Sequence, residues 1–531
     1  MQLTERQRQR GIVVDRLGAA EWRRAEAASG RILADDSVDV EGLLLLGLSV
    51  AARGQTQRAA AILDRVARER PNEPHPCGDL PALLPRFSRA QITAQFQACL
   101  KLAPEDFRLR QAFATFLQDG GEHVEAIALL REGLVLHPRS APAQHGMGLA
   151  LAEVGQNTQA IWHFQQAVAL DPDLAPSWAN LGLLLKVEGQ FERSLAAYAR
   201  AVAAAPNDAQ IRVNRAVALL QAGRWEEAWP DYEWRLRVKG AVSLPLALLL
   251  PALREAGDLT GRTILLTHEE GFGDTLQFLR YAPLLAERGA QVLAWVPGPL
   301  VRLTRGVTGI ETVITGDATL PPFDYHCPFV SLPRAFESTV ATVPSWPYLQ
   351  ADPALTAEWA QRLPAARLRV GLAWAGQARP WLAGFSTVDR RRSVSLTTFA
   401  PLAAVPDVLF VSLQKGPAQD QVQVAPEGMA LVDPMAAAAD FADTAAIIAN
   451  LDVVISVDTA VVHLAGAMGK PVFLIDRYDN CWRWLSGRAD SPWYPSLTIF
   501  RQDKLGDWSA PMARAAAALA AMAAYRGEGG G

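Results

Sequence analysis

A 34-residue period restricts what the first part of this chain can become. Gly148, Gly182 and Ala216 stand 34 residues apart (182 − 148 = 34), and so do Gly121, Gly155, Gly189 and Gly223. Ala126, Ala160, Ser194 and Ala228 recur at the same interval, as do Pro104, Pro138, Pro172 and Pro206. A unit of this length is two antiparallel helices. The small residue lets them approach, the glycine makes the turn between them, and the proline breaks the chain before the next unit. About four units are clear between residues 90 and 240. Another is expected around Gly47, Gly54, Ala59 and Pro71, with Pro71 to Pro85 an irregular connection.

With 531 residues the chain exceeds one core, and a prior of roughly 100 to 200 residues per domain suggests about three. Apolar residues make up 50% and the formal net charge is −4, which gives no electrostatic case for nucleic acid. The start, MQLTERQRQRG, has no apolar segment of signal-peptide type, so a cytoplasmic location is expected. Gly240 to Leu253 is apolar but shorter than the roughly 20 residues a bilayer span needs, and reads as a buried linker, so no transmembrane segment is expected. Cys77, Cys99, Cys327 and Cys481 are too scattered for a disulfide framework or a metal site.

The repeats resemble tetratricopeptide repeats, most closely at Trp178-Ala179-Asn180-Leu181-Gly182 and Ala197-Tyr198-Ala199-Arg200-Ala201. Such an array binds an extended peptide on its inner face or braces a neighbouring domain. Asn180 and Asn214 hold the same place in successive repeats, where stacked amides can pair with a peptide backbone; the preceding equivalents are Gly146 and Ala112. A similar asparagine ladder occurs in O-GlcNAc transferases. Trp225, Trp229, Tyr232 and Trp234 close the last repeat and read as glue for another domain.

Beyond the linker the pattern changes to strand, loop and helix. Arg262 to Thr267 is a buried strand, followed by His268-Glu269-Glu270-Gly271-Phe272-Gly273-Asp274, a helix from about Thr275 to Arg288, and a strand at Gln291 to Val296. A second half starts at Leu368 to Gly376 and continues with the strand Val408 to Leu413, then Gln414-Lys415-Gly416. Its clearest unit is Leu451 to Val472: an apolar strand, Asp458-Thr459 as capping residue types, a helix with Val461, Val462, Leu464, Ala465 and Met468 at helical spacing, Gly469, and the strand after Pro471. In a parallel unit the helix N-terminus sits at the carboxyl edge of the sheet, where its N–H groups and dipole favour an anion.

The segments GFGDTLQFLRYAPLLAERGA, FDYHCPFVSLPRAF, VGLAWAG, FVSLQKG, DFADTAAIIANLDVVISVDTAVVHLAGAMGKPV and WRWL…DSPWYPS resemble the glycosyltransferase domain that follows tetratricopeptide repeats in bacterial proteins. That domain is similar to the heptosyltransferase-like family 9 enzymes and, in architecture, to O-GlcNAc transferases. The resemblance runs from about Trp178 onward. It implies an α + α/β chain, a tetratricopeptide-repeat α-solenoid followed by a two-Rossmann GT-B domain. The expected division is repeats over 1–240, linker over 241–260, an acceptor-side half over 261–360, and a nucleotide-sugar half over 361–531 that ends in a helix, about Ser509 to Tyr525, crossing back to tie the halves. It also implies an inverting transferase with a nucleotide-sugar as co-substrate, no cofactor and no metal. Bacterial members include flagellin glycosyltransferases, whose repeats capture flagellin.

Carried over residue by residue, Asp274 matches the family's base, with a helix cap as the competing reading and His268, Glu269 and Glu270 as rivals on its loop. Lys415 matches the lysine on the donor phosphates. Asp458, Thr459, Ala460 and His463 match the nucleotide-side motif: the helix N-terminus receives phosphate, Asp458 takes a ribose or sugar hydroxyl, and His463 either donates to phosphate or fills the core. Gly376 belongs to the small-residue loop beside the donor. Arg392, with Arg390 and Arg391, either clamps phosphate or a sugar carboxylate or is merely solvated. Two segments depart from the family, Gln377 to Phe385 and the polar Asp476 to Cys481. The expected function is transfer to Ser or Thr of a captured protein, with a glycan-directed glycosyltransferase of cell-surface polysaccharide assembly and a non-catalytic adaptor as alternatives.

Overall fold

The computed structural model describes residues 2–18, 21–37, 39–53, 55–69, 88–238, 244–269, 271–316, 318–376 and 391–528. The connection expected over Pro71 to Pro85 lies outside them, as do residues 377–385, Glu270, Arg390, Cys77 and the start of the apolar linker. The chain forms two compact units, residues 1–207 and 208–531.

The first unit is helical. Helices at Phe107–Asp119 and His123–Leu136, Ala141–Glu153 and Asn157–Leu170, and Ala175–Val187 and Phe191–Ala204 pair within each repeat. The small positions do what the period requires. A Cβ on Gly148 would lie 2.7 Å from the Phe164 ring, and one on Gly182 would lie 2.9 Å from the Tyr198 ring. Gly121, Gly155 and Gly189 turn the chain at φ +79°, +77° and +72°, left-handed conformations that cost other residues a Cβ clash. Helices Val40–Ala52 and Thr56–Glu69 form the earlier pair, and Gln2–Gly18 with Trp22–Asp35 form one that the period does not mark. Asn180 is half-buried on Ala175–Val187.

The second unit begins with one more helix pair, Ala209–Gln221 and Trp225–Tyr232, and then enters two parallel sheets. Asn214 lies on the first of these helices, its side-chain oxygen accepting from Gln210 Nε2 at 2.9 Å. One sheet has the order β3-β2-β1-β4, with β1 at Thr263–Thr267, β2 at Gln291–Trp295, β3 at Ile310–Ile314 and β4 at Tyr325–Pro328. The other runs β10-β9-β8-β5-β6-β7, with β5 at Leu368–Ala373, β6 at Val408–Ser412, β7 at Leu431–Val432, β8 at Val453–Val457, β9 at Val472–Asp476 and β10 at Leu497–Arg501. β8 and β9 are buried at every position, as their mainly apolar runs dictate, and the burial takes in Ser456 and Asp476.

The helix expected from Thr275 to Arg288 is three pieces, Phe272–Phe278, a 3₁₀ turn at Leu279–Tyr281, and Ala282–Ala286. Pro283 has no N–H for the carbonyl four residues earlier, and its ring crowds that turn. The last helix, Ser509–Glu528, sends Met512, Ala515 and Leu519 into the core of the six-stranded sheet. The tryptophans that close the repeats pack into this unit: Trp225 stacks on Trp493 at 4.9 Å, and Trp229 and Tyr232 meet Trp482 edge-on. Gln221 Nε2 donates to Asn480 Oδ1 at 2.6 Å.

Candidate active site

Because β6, β5, β8 and β9 are consecutive parallel neighbours, the loops leaving their carboxyl ends stand side by side along one edge. Three strand spacings of about 4.8 Å put the outer loops roughly 14 Å apart, the scale of a nucleotide-sugar. This edge carries Gln414-Lys415 after β6, Trp374 to Gly376 after β5, Asp458-Thr459 after β8 and Asp476 to Cys481 after β9.

Gln414, which sequence reasoning passed over, staples two of these loops. Its buried amide accepts from the backbone N–H of Trp374 at 3.0 Å and of Ala375 at 2.9 Å, and donates to the carbonyls of Ala375 and Lys415, each at 3.0 Å. Lys415 is exposed and its Nζ donates to the carbonyl of Ala438. Gly376 donates its N–H to Ser393 Oγ at 3.1 Å, and a Cβ there would lie 2.8 Å from the Arg392 guanidinium. Arg392 in turn donates to the carbonyl of Asp458 at 3.2 Å, so it bridges the β5 and β8 loops. Arg391 pairs with Asp479 at 3.1 Å.

Thr459 holds the N-cap position of the helix Ala460–Ala467, yet its side chain makes no cap bond; its hydroxyl lies 3.1 Å from Ser456 Oγ. The first N–H groups of that helix therefore have no side-chain cap. His463 is buried. Its ring stacks on Trp484, with centroids 5.2 Å apart, and its Nδ1 shares a 3.0 Å hydrogen bond with the Tyr494 hydroxyl. Burial, reinforced by the positive charge of Arg483, lowers its pKa to about 3, so the ring is neutral at ordinary pH.

In the half built on the four-stranded sheet, Asp274 Oδ2 accepts from the N–H of Gly271 at 2.8 Å and Oδ1 accepts from Arg483. Arg483 also donates to Gln277 Oε1 at 2.9 Å. The tie is direct because Gly273 lies flush on the facing helix: a Cβ there would come within 2.7 Å of His463 Cδ2 and 3.5 Å of Ala460 Cα. Gly273 thus brings the two halves together. Of the rivals, Glu269 is committed to the buried Arg235, with Nη2 to Oε2 at 2.8 Å. His268 holds Thr275 Oγ1 at 2.7 Å, and burial lowers its pKa against the opposing charge of Asp274. Asp476 is fully buried beside Arg501, at 2.8 Å, and burial raises its carboxyl pKa to about 6. Arg483 was not singled out from sequence, and Asp476 stood out only as the start of the polar segment that closes the apolar run Val472 to Ile475.

Comparison with known proteins agrees with this layout. A tetratricopeptide-repeat model matches residues 12–74 and 179–233, and the glycosyltransferase family 9 (heptosyltransferase) model matches residues 408–505. The chain is 29% identical over 325 residues to Protein FlbA of Caulobacter vibrioides, a match covering 56% of this chain and 53% of FlbA. It thus spans about half the length of that curated relative. Among solved structures, MamA is 22% identical with a TM-score of 0.28, covering 30% of this chain and 92% of MamA. YrrB, described as a TPR protein with an unusual peptide-binding site, is 15% identical with a TM-score of 0.25, covering 40% of this chain and 92% of YrrB. The chain therefore joins tetratricopeptide repeats to a region of parallel sheets that carries a family 9 glycosyltransferase segment.

Proposed function

We propose that this protein is an inverting, metal-independent glycosyltransferase that moves a sugar from a nucleotide-sugar donor to Ser or Thr of a polypeptide captured by the repeats, flagellin being one such acceptor. The observation that carries this is the coincidence of the family 9 segment, residues 408–505, with the sheet edge that carries Lys415 after β6 and the uncapped helix at Ala460 after β8, where Arg392 meets the carbonyl of Asp458. Departure of a phosphate needs positive charge and N–H donors, and these groups supply both. Asp458 takes a ribose or sugar hydroxyl. Gly376 leaves room for the Arg392 guanidinium that faces the donor, and Asn180 and Asn214 hold peptide amides. Asp274 receives the proton of the acceptor hydroxyl. Each carboxylate oxygen has two lone pairs, so the bonds from Gly271 and Arg483 orient it without exhausting it.

The same two bonds favour one competing reading, in which Asp274 only ties the halves and the chain is a binding adaptor. Asp274→Asn and Lys415→Ala separate the two. Intact-mass analysis of proteins captured by the full-length chain should show a sugar-sized increment with the native protein and none with either variant, capture being unchanged. Undiminished transfer by both variants refutes the site. A native protein that binds none of UDP, GDP, ADP, dTDP or CMP in calorimetry is the adaptor.

A further inference from the structure

The buried polar atoms left unserved concentrate just beyond β9. Asp476 Oδ1, Arg477 Nε and Nη1, and Asp479 Oδ1 are buried and meet no hydrogen-bond partner among the described residues. Arg477 is only 8% exposed. Its Nε stands 3.7 Å from Asp479 Oδ1, an ion-pair separation too long for a hydrogen bond. The surrounding cations are engaged: Arg501 holds Asp476 Oδ2 at 2.8 Å, Arg391 holds Asp479 Oδ2 at 3.1 Å, and Arg483 holds Asp274. Burying a guanidinium with two idle nitrogens is costly, and burying a carboxylate oxygen idle on each side of it adds to the cost. A ligand with matching groups offsets that cost.

Two further facts say where the ligand lies. β9 pairs with β8 in parallel register, so Arg477 follows the strand end next to the one that carries Asp458 and the uncapped helix. Asp479 is held at 3.1 Å by Arg391, whose neighbour Arg392 donates to the carbonyl of Asp458, so the loop after β9 is joined to that same edge. We infer that Arg477 is an oxyanion-binding residue of the donor site, and that Asp476 and Asp479 receive the hydroxyl or amide hydrogens flanking that oxyanion. The chemistry read here is a phosphate or carboxylate bordered by O–H or N–H groups. A nucleotide presents it as phosphate beside ribose, and an acidic sugar as carboxylate beside its hydroxyls. Assigning the anion to the donor rests on the glycosyl-transfer reading; the anion site itself does not.

The test uses the full-length protein with arginine side chains labelled at Nε. The Arg477 resonance is assigned by its absence in Arg477→Lys, then followed by NMR during titration with orthophosphate, glucuronate and the five nucleotides above, against sodium chloride at matched ionic strength. A saturable shift that chloride does not reproduce is expected. Saturation by orthophosphate and nucleotides names phosphate as the anion, and saturation by glucuronate alone names a sugar carboxylate. Arg477→Gln should weaken the tightest ligand about tenfold or more, the usual consequence of losing a charge-assisted hydrogen bond. If that variant fails to fold, the titration of the native protein still decides. No saturable shift with any probe overturns the inference. A nucleotide that binds through Lys415 without moving Arg477 overturns it and leaves glycosyl transfer standing. An Arg477 shift with orthophosphate but no nucleotide binding upholds the anion site and removes the transfer reading together with the donor assignment.

Discussion

Placing one methyl group on Gly273 should wedge the two halves of the α/β region apart. The Cβ of Gly273→Ala would sit 2.7 Å from His463 Cδ2, well inside contact distance. His463 cannot retreat, since Trp484 stacks on its ring and the Tyr494 hydroxyl holds Nδ1. Backbone conformation is no obstacle to alanine at this position, so the clash is the whole effect. Overpacking of this kind costs about 1–3 kcal/mol, which lowers the melting temperature by about 1–5 °C in a unit of this size. Calorimetric melting of four proteins tests the cause: native, Gly273→Ala, His463→Ala and the double variant. Once the ring is gone, the added methyl should cost less than about 0.5 kcal/mol, giving a coupling well outside additivity. Costs that add, or a Gly273→Ala variant that melts with the native protein, would refute the contact.

His463 is also expected to govern part of the acid response. Its folded pKa of about 3 lies below that of an unfolded histidine, so the unfolded chain binds the proton first, and its contribution to stability falls as pH drops from about 6.5 towards 3. Burial enforces this first, helped by Arg483, Arg280 and Arg392 and opposed by Asp274, so a His463→Gln variant should unfold over this range with a visibly shallower pH slope. Gln414→Ala strands the N–H groups of Trp374 and Ala375 and should cost about 2–4 kcal/mol by denaturant titration, with weaker nucleotide binding because both loops loosen. A fragment of residues 208–531 should unfold cooperatively, whereas one of residues 241–531 should not. The latter loses the buried Trp225, Trp229 and Tyr232, at about 3–5 kcal/mol for each large aromatic, a sum comparable with the whole stability of a domain.

The repeats were legible because a solenoid writes its packing into local spacing. Gly148 and Gly182 recur where a facing ring would strike a Cβ, and nothing beyond the neighbouring helix enters that requirement. The buried strands were legible for the same reason, as mainly apolar runs. β10 at Leu497–Arg501 was not, because only its pairing with β9 gives that stretch a sheet to belong to. The grouping of Ala209–Gln221 with the α/β region was also invisible to a periodicity that continues unchanged through it. What binds it to its unit comes from more than 200 residues away: Gln221 donates to Asn480, and Trp225 and Trp229 of the following helix pack on Trp493 and Trp482.

The site divides along the same line. Strand ends announce an edge, so Lys415, Gly376 and Asp458 could be placed on it from sequence alone, each in the loop that follows a buried run. Partners could not be, because they come from other strands. Arg483 reaches Asp274 across 209 residues and Arg392 reaches the carbonyl of Asp458 across 66. One signal did cross that gap. The stretch Asp476 to Cys481 reads as too polar for its position, and a charged loop that follows a strand buried on both faces must find partners for its charges or take them from a ligand. Asp476 found Arg501 for one oxygen and Asp479 found Arg391, but each kept an oxygen idle, and Arg477 between them kept two nitrogens idle. Where polarity breaks the rule of its fold and the fold does not then satisfy it, binding accounts for the polarity better than stability does.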